Sequence, residues 1–422
     1  MKRFLAAFLL IVSTQLSVWA GPHRVIVQVA PNAQARAIAG AVGGQVLQAI
    51  PGTNFYLMSV PSAASLAAAS QLGVVAVENN APIAVQPSGA IAIVQSSQGA
   101  EWYAAQPAMQ LVHAARAAAV SSGRGIVIAD INARIDYGHP ALIGHLTSGY
   151  DFVADRAANG ASLNQSSASF LDQSSAGFLD QSSAAFLDQS TAAFLDQSTA
   201  SFLDQSSASF LDASNPAHGH ATFCAGILAA LAPNAMIMPL RAFDDNGNAD
   251  AFTIARAILY AVSNGADVIN MSFGMASSSQ AVQAAIQIAT NKGIVVVASA
   301  GNDNSSTPQF PASLNTVLGV AATDLNDKKA AFSNYGNDIF VDAPGVNIIS
   351  AYPGGYYAIA SGTSFSAPFV SAEAALLLSE SRRNPDNPMA NGAVNIDAQN
   401  PGFKNELGTG RIDMLQAVEN VR

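Results

Sequence analysis

Ser361-Gly362-Thr363-Ser364-Phe365-Ser366-Ala367-Pro368 leads from a turn of small residues into a strongly apolar stretch, Phe369 to Leu378. This pattern puts Ser364 at the mouth of a buried helix. The first N–H groups of a helix have no partner within it and carry the positive end of its dipole, so donors stand ready beside the Ser364 hydroxyl. Gly362 permits a tight backbone approach, and Pro368 is tolerated if it falls within about the first turn. Two readings fit. One is a serine that caps a helix, the commonest use of Ser in that place; the other is a serine prepared as a nucleophile. The stretch alone does not separate them.

Upstream of it, apolar strands alternate with helices. Gly125 to Ala129 reads as a strand ending at Asp130 and Ala235 to Arg241 as another. A helix from Asp250 to Asn264 stops at Gly265. Strand Ala266–Met271, helix Gln280–Asn291 and strands Gly293–Ala300 and Thr316–Ala321 follow. Buried strands with helices between them make an α/β fold, a doubly wound, mostly parallel sheet covered on both faces. Ligands of such sheets bind beyond the carboxyl ends of the strands.

Of 422 residues only 11% are charged and half are hydrophobic, which suits buried strands and close-packed small side chains. The formal net charge of −10 argues against nucleic acid as a partner. One cysteine, Cys224, excludes an intramolecular disulfide framework. Lys2-Arg3, the apolar run Phe4 to Val12 and Val18-Trp19-Ala20 read as a signal peptide over residues 1–20, and no later run has the length of a membrane span. An exported protein, extracellular or periplasmic, is expected.

Residues 21–99 form a unit of their own, two strand-helix-strand passages that suggest a small α+β domain. Pro87 to Gly99 is a polar linker open to cleavage. Residues 100–422 carry the larger domain, with a low-complexity insert at about 163–213. In the insert Phe170, Phe178, Phe186, Phe194, Phe202 and Phe210 recur every eight residues, each followed by Leu-Asp. An even period keeps every Phe on one face of a strand but winds it around a helix, which favours short strand-turn units. A neutral surface loop of variable length is the expected role.

Four stretches, in order, resemble the signatures of the subtilisin-like serine proteases, the subtilases of peptidase family S8. They are the strand ending at Asp130, Gly219-His220-Ala221-Thr222-Phe223-Cys224-Ala225-Gly226-Ile227, Ser299-Ala300-Gly301-Asn302, and Ser361 to Pro368. His139-Pro140-Ala141-Leu142 and the closing segment Leu407 to Asp413 also resemble the family. The resemblance implies Ser364 as nucleophile, His220 as its base, Asp130 as the acid that orients the base, and Asn302 as oxyanion donor. It implies a peptide bound as an added strand between Ser272-Phe273-Gly274 and Asn248 to Ala251, Ala249 included, with Ser299, Ala300 and Gly301 as the far wall of a specificity pocket. His139 is structural and Cys224 an inert buried thiol.

Some letters depart from the family: Ile131-Asn132 stand where Thr or Ser and then Gly are usual, Ala221 where Gly is usual, and Phe223 where a second His is usual. His218 is a rival base by letters, but only the His220 frame keeps Thr222 and Ala225-Gly226-Ile227 in register. The resemblance further implies that residues 21–99 are a propeptide, an intramolecular inhibitor, with maturation between about 87 and 105. Protein or peptide substrates and a monomeric state are expected. Calcium is a structural ion in the family, and no ligand cluster for it stands out in this sequence. The functional expectation is a secreted serine endopeptidase made as a zymogen. The alternative is a catalytically weak or inactive exported binding protein that displays the repeats.

Overall fold

The computed structural model of the chain describes residues 23–62, 66, 68–85, 91–94, 96–158 and 216–421. The expected leader and the octapeptide insert lie outside the described residues. The chain divides into two compact units, Met1–Asn79 and Asn80–Arg422. The compact-unit boundary falls before the tail of the expected 21–99 segment, because strands Pro82–Ala84 and Ala92–Val94 pair with partners inside the second unit.

In the first unit β1 (His23–Val29), α1 (Ala35–Ala41), β2 (Gln45–Ala49), β3 (Phe55–Val60) and β4 (Val74–Asn79) build an antiparallel sheet in the order β2-β3-β1-β4. Alternation puts Val25, Val27 and Val29 on one face, where they pack with Ile38, Ala39, Met58, Val60 and Leu66. The edge strand β2 was not anticipated. None of its residues is buried, so it has no alternating apolar signal.

The second unit opens with β5 (Pro82–Ala84), β6 (Ala92–Val94) and α2 (Ser96–Ala105). Its main sheet is formed by β7 (Val127–Asn132), β8 (Gly149–Asp151), β9 (Arg156–Ala158) and, after α3 (Pro216–Leu231), β10 (Met236–Arg241). β11 (Asn248–Asp250), α4 (Ala251–Ser263), β12 (Val268–Met271), α5 (Gln280–Asn291) and β13 (Val295–Ser299) follow. Then come β14 (Leu318–Thr323), β15 (Val341–Pro344), β16 (Ile348–Tyr352), β17 (Tyr356–Ala360) and α6 (Thr363–Glu380). The eight-stranded order is β15-β14-β13-β12-β7-β10-β8-β9, parallel except for the terminal hairpin β8-β9. The expected doubly wound α/β sheet with helices on both faces is what forms.

The local reasons are the ordinary ones. Asp250 caps α4 by accepting from Thr253 N at 2.8 Å, and Ser279 caps α5 through Val282 N. Strands β12, β13 and β14 are buried throughout, as both-face coverage requires. Since β10 and β12 flank β7, the winding reverses direction at β7. A crevice opens at the carboxyl end of the strand where that happens.

Candidate active site

α6 begins at that crevice, and its residues from Thr363 to Leu378 are all buried. Ser364 thus stands at the second position of a helix enclosed on every side, its buried polar residues Ser366, Ser371 and Glu373 included. Two expectations about this turn are corrected. Gly362 has extended backbone (φ 163°), and a Cβ there would make only ordinary contacts at 3.6–3.7 Å. Pro368 is the sixth residue of α6, beyond its first turn, so the Ser364 carbonyl loses its helical donor. Ser272, just past β12, supplies the replacement: its hydroxyl donates to Ser364 O at 2.8 Å. In return the Ser364 hydroxyl donates to Ser272 O at 3.1 Å. Proline in the second turn thereby ties the serine to the end of β12.

Asn302 follows Gly301, whose φ of +105° suits glycine alone and where a Cβ would come to 2.5 Å from Asn334 Nδ2. The Asn302 Oδ1 accepts from both Thr363 N and Thr363 Oγ1 at 2.9 Å, and Thr363 Oγ1 also accepts from Gly301 N at 3.2 Å. Two donors on the oxygen fix which end of the amide is which, and they come from the residue next to Ser364.

His220 lies on α3, 3% exposed, with its ring 5.6 Å from that of Phe365. Its Nδ1 meets Asn132 Oδ1 at 3.1 Å. The expectation that Asp130 faces this imidazole is thus corrected: β7 continues two residues past the predicted end, and the carboxamide of Asn132 takes the position beside Nδ1. Asn132 Oδ1 also accepts from the Ala133 backbone N at 3.0 Å. A backbone N–H can only donate, so the atom between it and the ring is oxygen and the His220 proton is on Nδ1. The other nitrogen, Nε2, is left without a proton and makes no hydrogen bond among the described residues. Burial pulls the imidazole down from 6.5 to about 4, with no carboxylate among the causes.

Asp130 sits one strand repeat earlier on the same face, 1% exposed. It accepts from Asn270 Nδ2 at 2.8 Å, and that nitrogen also lies 3.1 Å from Ser272 Oγ. Burial raises its carboxyl to about 7 against the favourable amides of Asn270 and Asn132. Cys224 is buried, donates weakly to Ser364 O at 3.5 Å and has its thiol pushed up by burial and by Asp130.

His218 is a separate group. Burial, followed by the charge of Arg134, lowers it to about 4, and Asp136 and Asp245 oppose the shift. His139 bonds Tyr356 O through Nε2 at 2.7 Å while its Nδ1 accepts from Ala141 N at 3.1 Å, a structural role.

Of the expected binding residues, Gly274 lines a cleft, and Asn248 and Ala249 pair with a strand that lines it. β5 pairs antiparallel with β11, Ala84 opposite Asn248 and Ile83 opposite Ala249. Val85 N donates to Gly247 O at 2.9 Å and Ala251 N to Ala81 O at 3.1 Å. Pro82 to Val85 share this cleft with Gly274, Met275, Ala276, Asn302 and Asp303. Phe273, Ser299 and Ala300 are buried and are not among the residues that line it. Among the described residues no group of three or more His, Cys, Asp or Glu side chains could hold a metal ion, so no calcium ligands are assigned.

Asn132 is the site residue that sequence reasoning missed. A signal was present: two polar residues, Asp130 and Asn132, at strand spacing in an otherwise apolar run.

Residues 123–410 match the Subtilase family, peptidase S8, more than half of the chain. The chain belongs to this family. A thermophilic serine proteinase of Bacillus sp. (strain AK1) is 36% identical over 274 residues, 63% of this chain and 54% of that protein. Thermitase of Thermoactinomyces vulgaris is 42% identical over 175 residues, 39% of this chain and 63% of that protein. Among solved structures, fervidolysin from Fervidobacterium pennivorans, a keratinolytic enzyme related to subtilisin, superposes with a TM-score of 0.70 at 22% identity, covering 94% of this chain and 61% of that one. The chain thus spans roughly half to two thirds of the length of these relatives.

Proposed function

We propose that the chain is an exported serine endopeptidase made as a zymogen, with Ser364 as nucleophile, His220 as base, Asn302 as oxyanion donor and Asn132 where an acid is usual. The observation that carries the proposal is the Thr363 clamp, which locks the Asn302 amide to the residue beside Ser364. In the reaction Ser364 Oγ gives its proton to His220 Nε2 and bonds the scissile carbonyl carbon. Asn302 Nδ2 receives the oxyanion, and His220 returns the proton to the leaving amine. A peptide substrate takes the place of Pro82–Ala84 on β11. That β5 already fills this edge supports an inhibitory precursor, and residues 1–20 and 87–105 supply the expected leader and maturation window. No helix among the described residues is long and apolar enough to cross a membrane.

A second reading has its own support. A neutral carboxamide at Nδ1 cannot stabilise an imidazolium as a carboxylate does, which favours a weak or inactive binding protein that displays the repeats. One experiment separates them. The purified precursor and its Ser364→Ala variant are compared for self-processing, casein hydrolysis and labelling by a fluorophosphonate. The endopeptidase reading expects all three in the wild type and none in the variant. A wild type as inert as Ser364→Ala establishes the binding protein instead.

A further inference from the structure

Among the described residues Asn132 leaves the His220 ring without a neighbouring charge, yet a carboxylate is buried one strand repeat away with no cation paired to it among them. Asp130 Oδ2 and Asn132 Nδ2 are both buried and make no hydrogen bond among the described residues. One is an acceptor and the other a donor, on side chains i and i+2 of β7 that share a face. Stranding each separately is costly. The Asn132 amide already favours the Asp130 anion, although the pair falls short of hydrogen-bond geometry.

We propose that Asp130 is the acid of this site, acting as a positioning residue through Asn132. Its Oδ2 takes the Asn132 Nδ2–H, which turns the Asn132 oxygen to His220 and extends the influence of the carboxylate to the ring across a polarised amide. This rests on the endopeptidase reading above. No proton crosses the amide: the imidazole gains one at Nε2 from Ser364, keeps its own on Nδ1, and the Asp130–Asn132 pair stabilises the cation that results. Ala133 N–H anchors the amide at its oxygen end and Asp130 at its nitrogen end. A simple acid-to-amide replacement lacks this second anchor, and there the amide can present its NH2 to the ring and select the wrong tautomer.

Burial opposes the charge up to about pH 7, and the amides of Asn270 and Asn132 favour it. From β12 Asp130 meets the neutral Asn270, whose oxygen is held by Ser371 of α6 at 2.9 Å, and Ser272 lies beside that amide. From α3 the titratable groups are His220 and Cys224, the latter with its thiol pushed up and hence neutral. On α6 the carboxyl of Glu373 is pushed well up by burial and then by the charge of Asp413, and is hence neutral.

The test uses the mature wild type, Asp130→Asn, Asn132→Asp and the exchange variant carrying both substitutions, which keeps the residue types and moves the charge beside the ring. kcat and KM are measured on a fluorogenic peptide across pH, with thermal melting as the folding control. Asp130→Asn is expected to lower kcat at least tenfold at pH 8 with KM within twofold and melting temperature not reduced. The exchange variant recovers wild-type kcat or more, and the acid limb near pH 7 in the wild type moves to lower pH in it. A kcat for Asp130→Asn within twofold of wild type overturns the proposal. So does an equal loss on adding Asp130→Asn to the Asn132→Asp variant, which marks a merely structural role. If the wild type neither turns over substrate nor takes the fluorophosphonate label, the endopeptidase reading falls and this inference falls with it, whatever Asn132→Asp does.

Discussion

Acidification charges an imidazole that the fold keeps neutral, and its cost can be worked out for His220. Burial alone lowers its pKa from 6.5 to about 4. Between those values the unfolded chain binds a proton that the native state does not, so stability falls as the pH drops from about 6.5 and stops falling below about 4. At about 1.4 kcal/mol per pH unit, the interval is worth on the order of 3 kcal/mol. Asp130 acts with the opposite sign in an overlapping window. Its carboxyl is raised from 3.8 to about 7, so its burial costs most above pH 7 and nothing below about pH 4. His218, His139 and His145, all lowered by burial, reinforce His220. One stability curve is therefore a sum, and the informative quantity is a difference. Ser364→Ala, which removes self-digestion, is compared with Ser364→Ala/His220→Asn, which keeps an amide donor toward Asn132 but cannot titrate. Urea unfolding between pH 4 and 7.5 should show the histidine-bearing protein losing on the order of 3 kcal/mol more. Parallel curves would refute the argument, since they require an imidazole that protonates as easily in the native state as in the unfolded one.

Asn302→Ala should lower kcat by about 10² to 10³ with KM changed little, read by steady-state kinetics; an unchanged kcat removes Asn302 from the mechanism. Gly301→Ala should cost about 1–3 kcal/mol, visible as a lower melting temperature, because the new methyl meets the Asn334 amide where the backbone is also strained. His220→Ala should abolish hydrolysis while His218→Ala keeps most of it, and the reverse result moves the base to His218. Deleting whole octads between Gln165 and Asp212 should leave hydrolysis intact, since loop closure depends weakly on length; failure to fold would place the tract in the core.

The parts of the site that sit where a turn of small residues meets an apolar run were legible in the sequence. Ser364 and Asn302 are of this kind, because glycine and the start or end of a buried element mark them locally. The partner of the His220 ring, Asn132, was not. The end of β7 is decided by pairing, and β10 carries it through the match of Arg241 with Asn132, two residues beyond Asp130. Two polar residues on one strand face are equivalent in the sequence until α3 sets His220 beside one of them. The role of Pro368 was hidden for the same reason. A proline shows which N–H is missing, but only packing shows that Ser272 serves the orphaned carbonyl.

Because Pro82–Ala84 is covalently part of the chain that carries β11, it reaches that edge as an intramolecular ligand. A short tether gives such a ligand an effective concentration of about millimolar. A free peptide making the same backbone bonds has to reach that level merely to share the groove. Scission anywhere between Val85 and Ile91 breaks none of the contacts between the two strands, yet it turns a fixed local concentration into one set by dilution. The departing segment then leaves at its own dissociation rate, and volume, more than any change in shape, decides whether it returns.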